Sequence, residues 1–519
     1  MVAGITDAGW RDAWSVLATQ VTAEVPAEGA LHRPVVVVIG DFLLDSWWEG
    51  RSDRLCREAP VPVVDVHERR EAPGGAGNTA LNLAALGARV RAVGLVGTDP
   101  AGRRLRSLLA AAGVDVDFLV PVARANTPHK TRIVSGGRVL VRADHGGFAP
   151  DPALSRSLAA AAFRARAGAD AEVIADYDSG LLDGSVVRFL ARPAHRPALT
   201  VVDAHDVAKW SPLRPHLATP NAAEAGRLLR GQPAGHEPAG HDRVAAFAGV
   251  AAELRQRSGA QAVIVTLDRD GSILLDGATP PHRTRAVAAA EDRAAGAGDT
   301  YVAVVTLARA LGLPLAAACD LAQRAADVVV RRPGTSVCTL DDLAQEVART
   351  TGQAVTADRL DRLLAAERAA GRRLVLTNGC FDVLHRGHVT YLDQARRLGD
   401  VLLVAVNDDD STRRLKGPGR PVNPVEDRMS LLNALSCVDY VVPFDTDTPI
   451  PLIRRFRPEI YAKGGDYTAE MLEESAVVRS YGGEVHILDY VAARSTTALV
   501  QKIVTSDDLR RSIGTTAEP

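Results

Sequence analysis

Leu374-Val375-Leu376 runs directly into Thr377-Asn378-Gly379-Cys380-Phe381-Asp382-Val383-Leu384-His385-Arg386-Gly387-His388. A short apolar run closed by Asn-Gly reads as a buried strand ending in a turn. His385 and His388, three apart with a glycine between them, open a helix. Both rings can then face one phosphate group, the helix N-terminus adds its dipole, and Gly387 permits close approach. A metal ion would also suit a histidine pair, but no third ligand stands at a suitable spacing.

Downstream, Val401–Asn407, Tyr440–Pro443, Ile460–Lys463 and Val485–Leu488 read as further strands between helical stretches, the signature of parallel βαβ units. Of the 61 basic residues only Lys130, Lys209, Lys416, Lys463 and Lys502 are lysine. Lys416, in Arg413-Arg414-Leu415-Lys416-Gly417, and Lys463, in Lys463-Gly464-Gly465-Asp466, therefore mark places where a compact point charge is wanted. Arg494-Ser495-Thr496-Thr497 precedes the last helical stretch, where hydroxyls donate to phosphate or cap the helix.

Upstream, Val35-Val36-Val37-Val38-Ile39-Gly40-Asp41 opens a second, longer series of β-branched runs alternating with Ala/Leu-rich helices, up to about residue 345. Three motifs carry chemistry. Pro73-Gly74-Gly75-Ala76-Gly77-Asn78 lets backbone approach a ligand, with Asn78 able to bond sugar hydroxyls. Ala295-Gly296-Ala297-Gly298-Asp299-Thr300 begins a helix whose free N–H groups can cradle a phosphate, and Asp299 stands where a carboxylate takes a hydroxyl proton. Asn221 and Glu224, three apart before a helix, suit either a water-mediated magnesium–phosphate cluster or a capping box.

The 519 residues exceed one core, with 46% hydrophobic and 24% charged residues, as in a soluble globular protein. A net charge of -2 gives no electrostatic reason for a nucleic-acid partner. Five scattered cysteines without CxxC spacing exclude a zinc or disulfide framework. The charged start and the lack of a long apolar run predict a cytoplasmic protein without a signal peptide or membrane span. The expected organisation is an N-terminal extension at 1–30, a first domain at 31–345, a helical connector at 346–370, a second domain at 371–508 and a tail at 509–519.

In order and spacing, the three upstream motifs resemble the ribokinase-like (PfkB) carbohydrate kinases, and Ser52–Val64 looks like the lid and early strand of the heptose 7-phosphate kinases among them. The resemblance implies a mainly parallel sheet with a small lid and Asp299 as catalytic base. It further implies Gly296, Ala297 and Gly298 as an anion hole, Asn221 and Glu224 serving ATP and Mg²⁺ (Glu224 through water), and Asp41, Asp45, Gly74, Gly75 and Asn78 holding the sugar. Three places depart from that pattern: Arg293-Ala294-Ala295 replaces Asp-x-Thr, and Ser179 and His205 stand where lysines are usual. Lost positive charge weakens the attraction for a phosphorylated sugar.

The downstream half resembles the HxGH cytidylyltransferase-like nucleotidyltransferases, closest to the adenylyltransferase domains of ADP-heptose synthesis. That implies a Rossmann-like sheet, with His385, His388 and Lys416 catalytic. Asn378, Gly379, Phe381, Lys463, Gly464, Asp466, Arg494, Ser495, Thr496 and Thr497 would bind nucleotide phosphates, and Asp382 substrate. Joined in this order, the halves resemble the bifunctional enzymes that phosphorylate heptose 7-phosphate and adenylylate heptose 1-phosphate, with ATP as co-substrate and a homodimer through the kinase half. A second reading keeps only the C-terminal half active, with ATP or CTP and another sugar or alditol phosphate, and makes the kinase-like half a binding or oligomerisation module.

Overall fold

The structure, a computed structural model, describes residues 33–193, 196–230, 243–287, 296–332, 334–351, 357–369, 371–435, 437–464 and 471–488. The chain forms two compact units, Met1–Glu346 and Val347–Pro519.

The first unit is built on β1 (Val35–Gly40), β2 (Phe42–Leu55), β3 (Pro62–Gly75), β4 (Arg89–Gly97), β5 (Leu119–Val122), β6 (Asn126–Ser135), β7 (Arg138–Gly147), β8 (Ala171–Asp176), β9 (Leu199–Ala204), β10 (Leu217–Ala218), β11 (Ala262–Thr266), β12 (Ser272–Leu275) and β13 (His282–Thr284). Nine of them form one sheet in the order β13-β12-β11-β10-β9-β8-β1-β4-β5. All neighbours are parallel except the β11-β12-β13 edge, which turns back antiparallel. β1 is buried at every position, which is why it reads as an unbroken apolar run rather than an alternating one. A Cβ on Gly40 would lie 2.1 Å from the Ala175 carbonyl oxygen, so glycine is what lets the C-terminal ends of β1 and β8 meet. Under the sheet Arg166 makes a two-pronged ion pair with Glu172 at 2.7 and 3.0 Å, and both residues are buried.

The other four strands form a second sheet, β3-β2-β6-β7. It is larger than the Ser52–Val64 lid read from the sequence. The outer halves of β2 and β3 are exposed on both faces and carry no burial alternation to betray them.

The second unit holds β14 (Leu374–Gly379), β15 (Val401–Asn407), β16 (Tyr440–Phe444), β17 (Ile460–Gly464) and β18 (Glu484–Leu488), all parallel, in the order β16-β15-β14-β17-β18. The strand order reverses at β14, and in open α/β sheets the crevice outside the strand ends at such a reversal is where ligands bind. The stretch 346–370 is not one connector helix. Helices cover Leu340–Thr351 and Ala357–Ala369, and the second puts Leu360 and Leu364 into the core with Leu374 and Leu376. Two leucines one helical turn apart suffice to dock it, although the segment as a whole is polar. No helix among the described residues is long and apolar enough to cross a membrane. Residues 1–30 and 509–519 lie outside the described residues.

Candidate active sites

In the first unit the sequence motifs converge where the parallel strands end. Helix Ala297–Ala310 starts from Gly296 at φ 86°, and a Cβ there would sit 2.7 Å from the Asn78 Nδ2 atom. Asp299, in its first turn, accepts a hydrogen bond from Asn78 Nδ2 at 2.8 Å on one oxygen and from the Tyr177 hydroxyl on the other. Burial pushes the Asp299 carboxyl up to about 6, while those two donors restrain it. Asn78 is itself fixed by Asn82, which also accepts from Thr300 Oγ1 and the Cys338 amide. Asp203, at the end of β9, is pushed up to about 8 by burial and by its neighbours Asp299 and Glu224. Asp176, Tyr177, Asp203, Glu224, Gly296, Gly298 and Asp299 share a cavity of about 220 Å³. A larger one, about 810 Å³, adjoins it past His205, Asn221 and Glu224.

Asn221 and Glu224 form a reciprocal capping box: Asn221 Oδ1 accepts from the Glu224 amide and Glu224 Oε2 from the Asn221 amide, each at 2.9 Å. The other Glu224 oxygen is 2.7 Å from His205 Nδ1, and that bond raises the pKa of His205. Asp41 receives Ser179 Oγ at 2.5 Å and the Tyr177 amide at 2.9 Å, so Ser179 ties the loop after β8. Asp45 pairs with Arg132 at 2.6 Å, and Gly74 leaves room for it: a Cβ there would lie 2.2 Å from Asp45 Oδ2. Gly75, at φ 57°, abuts the Asp41 carbonyl. Positive charge does reach this site, from other positions than those the motif reading looked to. Lys130 stands opposite Asp45 across β2 and β6 and acts on Asp299, and Lys209 bonds Asp176 at 2.7 Å.

In the second unit His385 caps helix Arg386–Arg396, its Nδ1 accepting from the Gly387 amide at 3.1 Å. With Nδ1 used as acceptor, a neutral His385 carries its proton on Nε2. The His385 and His388 rings stack at 3.9 Å and 24°, so both edges serve one location. Burial, then His385 and Lys416, depress His388 to about 4. Its Nδ1 is buried without a hydrogen-bond partner. Phe381 holds a left-handed φ of 46° and sets its ring edge-on to His388 and against Gly379, strain of the kind that collects at functional sites.

Across the strand reversal Lys463 Nζ lies 2.9 Å from Asn378 Oδ1 and 3.7 Å from Glu474, and burial lowers its pKa. Gly464 is packed against Tyr391, whose hydroxyl bonds Thr377 on β14 and Ala462 on β17. The Asp382 side chain is bonded within the protein. Its buried carboxylate takes Arg420 at 2.5 Å and the Val422 amide at 2.6 Å, which hold it below the usual carboxylate range against burial. An acid just after a turn reads alike whether it binds a ligand or a segment distant in sequence, as here. Asp466, Arg494, Ser495, Thr496 and Thr497 lie outside the described residues.

Sequence reading missed Tyr177, Asp203, Tyr461, Glu474 and the fully buried Arg428, which bonds the Cys380, Asn407 and Asn423 carbonyls and Asp409. Tyr177 and Asp203 stand at strand ends beside Ser179 and His205, whereas Tyr461 inside its strand and Glu474 in helix Glu473–Ser480 carry no such mark.

Two folds with these sites define a carbohydrate kinase joined to a nucleotidyltransferase. The chain matches the pfkB family carbohydrate kinases over residues 34–177 and 192–342, and the cytidylyltransferase-like family over 376–502. It is 41% identical over 480 residues to the bifunctional protein HldE of Alcanivorax borkumensis, spanning 91% of this chain and 97% of that one. The HldE of Azotobacter vinelandii is 40% identical over 476 residues, with the same shares covered. The chain belongs to the bifunctional HldE family. Phosphofructokinase-2 from Escherichia coli, in complex with potassium, shares the first unit's fold with a TM-score of 0.50 at 20% identity, over 61% of this chain and 99% of that one.

Proposed function

We propose that the first unit phosphorylates heptose 7-phosphate at its anomeric oxygen with ATP, and that the second transfers AMP from ATP to heptose 1-phosphate with release of pyrophosphate. One observation carries this reading: each unit gathers its motif residues at the C-terminal ends of its parallel strands. The heptose rests on family membership and on the chain's likeness to the heptose kinases.

In the first reaction Asp299 takes the proton of the anomeric hydroxyl, whose oxygen attacks the γ-phosphorus while ADP leaves. The N–H groups at the start of helix Ala297–Ala310 receive the growing charge. Asp45, Gly74 and Asn78 shape the sugar pocket, and Lys130 with Arg132 supplies charge for the sugar's phosphate. In the second reaction a phosphate oxygen of the sugar 1-phosphate attacks the α-phosphorus and pyrophosphate leaves. His385, His388, Lys416 and Lys463 stabilise the charge that develops, with no protein nucleophile.

Mg²⁺ fits the first site as a companion of the nucleotide. Among the described residues no three His, Cys, Asp or Glu side chains are grouped to bind a metal directly. Yet burial, with the negative charge of Asp299 and Glu224 added to it, raises Asp203 to about 8, and a cation would relieve the part due to charge. Glu224 would hold the ion through water, and bound Mg²⁺ supplies neutralisation of phosphate charge. A homodimer through the kinase half would use β7, the exposed edge of the four-stranded sheet, where Val139 and Val141 face solvent.

The test is a substrate panel with ATP and Mg²⁺. ADP release with heptose 7-phosphate and pyrophosphate release with heptose 1-phosphate are expected. Faster turnover of another sugar phosphate in either reaction contradicts the heptose assignment.

A further inference from the structure

We infer that Tyr177 is a positioning residue for the kinase base: its phenol donates to Asp299 Oδ1 and so keeps the carboxylate ionised and turned toward the substrate. The inference rests on the reading of Asp299 as base and gives a role to Tyr177, to which the motif reading assigned none. Tyr177 leaves β8 just past Asp176, and its own amide is anchored on Asp41 Oδ2 at 2.9 Å. Its ring stands edge-on to His205, with centroids 5.3 Å apart and planes at 83°. Gly75 flanks the ring at van der Waals range, a Cβ there lying 3.4 Å from a Tyr177 ring carbon. The phenol is thereby placed to donate to Asp299. Its acceptor there is the oxygen opposite the one taken by Asn78.

The electrostatic setting makes such a donor necessary. Asp299 faces Asn78 from helix Ala76–Ala85, Tyr177 from the end of β8, Asp203 from β9, and Asp45 with Lys130 from the four-stranded sheet. Glu224, bonded to His205, adds negative charge that acts on Asp203 and Tyr177. Three of these neighbours, Asp203, Asp45 and Glu224, are acids against the single cation Lys130, and burial already favours the neutral carboxyl. A base protonated before the sugar arrives takes no proton. Hydrogen bonds to the charged form favour it. Tyr177 stays a donor throughout, since burial and the nearby Asp299 drive its own pKa far above the ordinary tyrosine value.

The experiment uses the full chain and follows ADP release with heptose 7-phosphate between pH 5.5 and 9, for the wild type and Tyr177→Phe. Loss of one donor should move the acid limb of kcat/KM up by about one pH unit. Activity should then fall roughly fivefold at pH 6 and largely recover above pH 8.5. Pyrophosphate release from heptose 1-phosphate, measured on the same preparation, should be unchanged and reports an intact chain. If the variant turns over too slowly to profile, the ¹³C resonance of the Asp299 carboxyl gives the same midpoint without catalysis. An unmoved midpoint, whether the rate is normal or uniformly lower, overturns the inference. Asp299→Asn separates the two claims: if it retains ADP release, the base assignment fails and Tyr177 loses its role with it.

Discussion

At the residue scale the two sites tune titratable groups in opposite directions. Asp299 is a carboxyl raised to about 6, so kinase kcat/KM should climb as pH rises through about 6 and level off above it. A profile flat down to pH 5 contradicts the assignment. His388 is an imidazole lowered to about 4, hence neutral in the free protein at pH 7. An arriving phosphate supplies the missing negative charge. An NMR titration should therefore place His388 near 4 without nucleotide and back toward ~6.5 with it. A midpoint near 6.5 in the free protein would mean that the pocket does not desolvate the ring. Asp299, His385 and His388 were legible because their spacing fixes their place at a helix start. The partners of Asp382 and Tyr177 were not, since only the fold shows that one turns to Arg420 and Val422 and the other to Asp299.

At the element scale glycines and one arginine keep the sites in register. Gly74 closes β3 against Asp45, so Gly74→Ala should cost the kinase about 10²-fold in kcat/KM by displacing Asp45 or Leu43, with pyrophosphate release untouched. Wild-type kinetics would mean that Asp45 plays no part. Arg428 ties the turn after β14 to the ends of β15 and its following loop. Arg428→Met leaves buried carbonyls unpaired and should cost about 3 kcal/mol, read as a lowered melting transition of the second unit. A loss under about 1 kcal/mol would show that water replaces the guanidinium. The strand–helix alternation was legible wherever strands are buried on both faces, as in β1 and β15. The four-stranded sheet escaped because exposed strands carry no apolar period.

At the scale of the whole molecule one chain carries a carbohydrate kinase unit and a nucleotidyltransferase unit, each built on its own mainly parallel sheet. The reading that leaves the first unit without chemistry finds no support in a site where Asp299, Asn78, Gly296 and the capped Asn221–Glu224 turn are all assembled. The two lysines missing from the motifs suggested a weakened kinase, but Lys130 brings charge from a distant strand and Lys209 from four residues past His205. Pattern alone does not show charge delivered that way. The most direct measurement follows ADP release from heptose 7-phosphate and pyrophosphate release from heptose 1-phosphate in Asp299→Asn and in His388→Asn. Asp299→Asn should abolish only the first and His388→Asn only the second. Loss of both products in either variant, or of neither in both, would contradict two separate active sites in one chain.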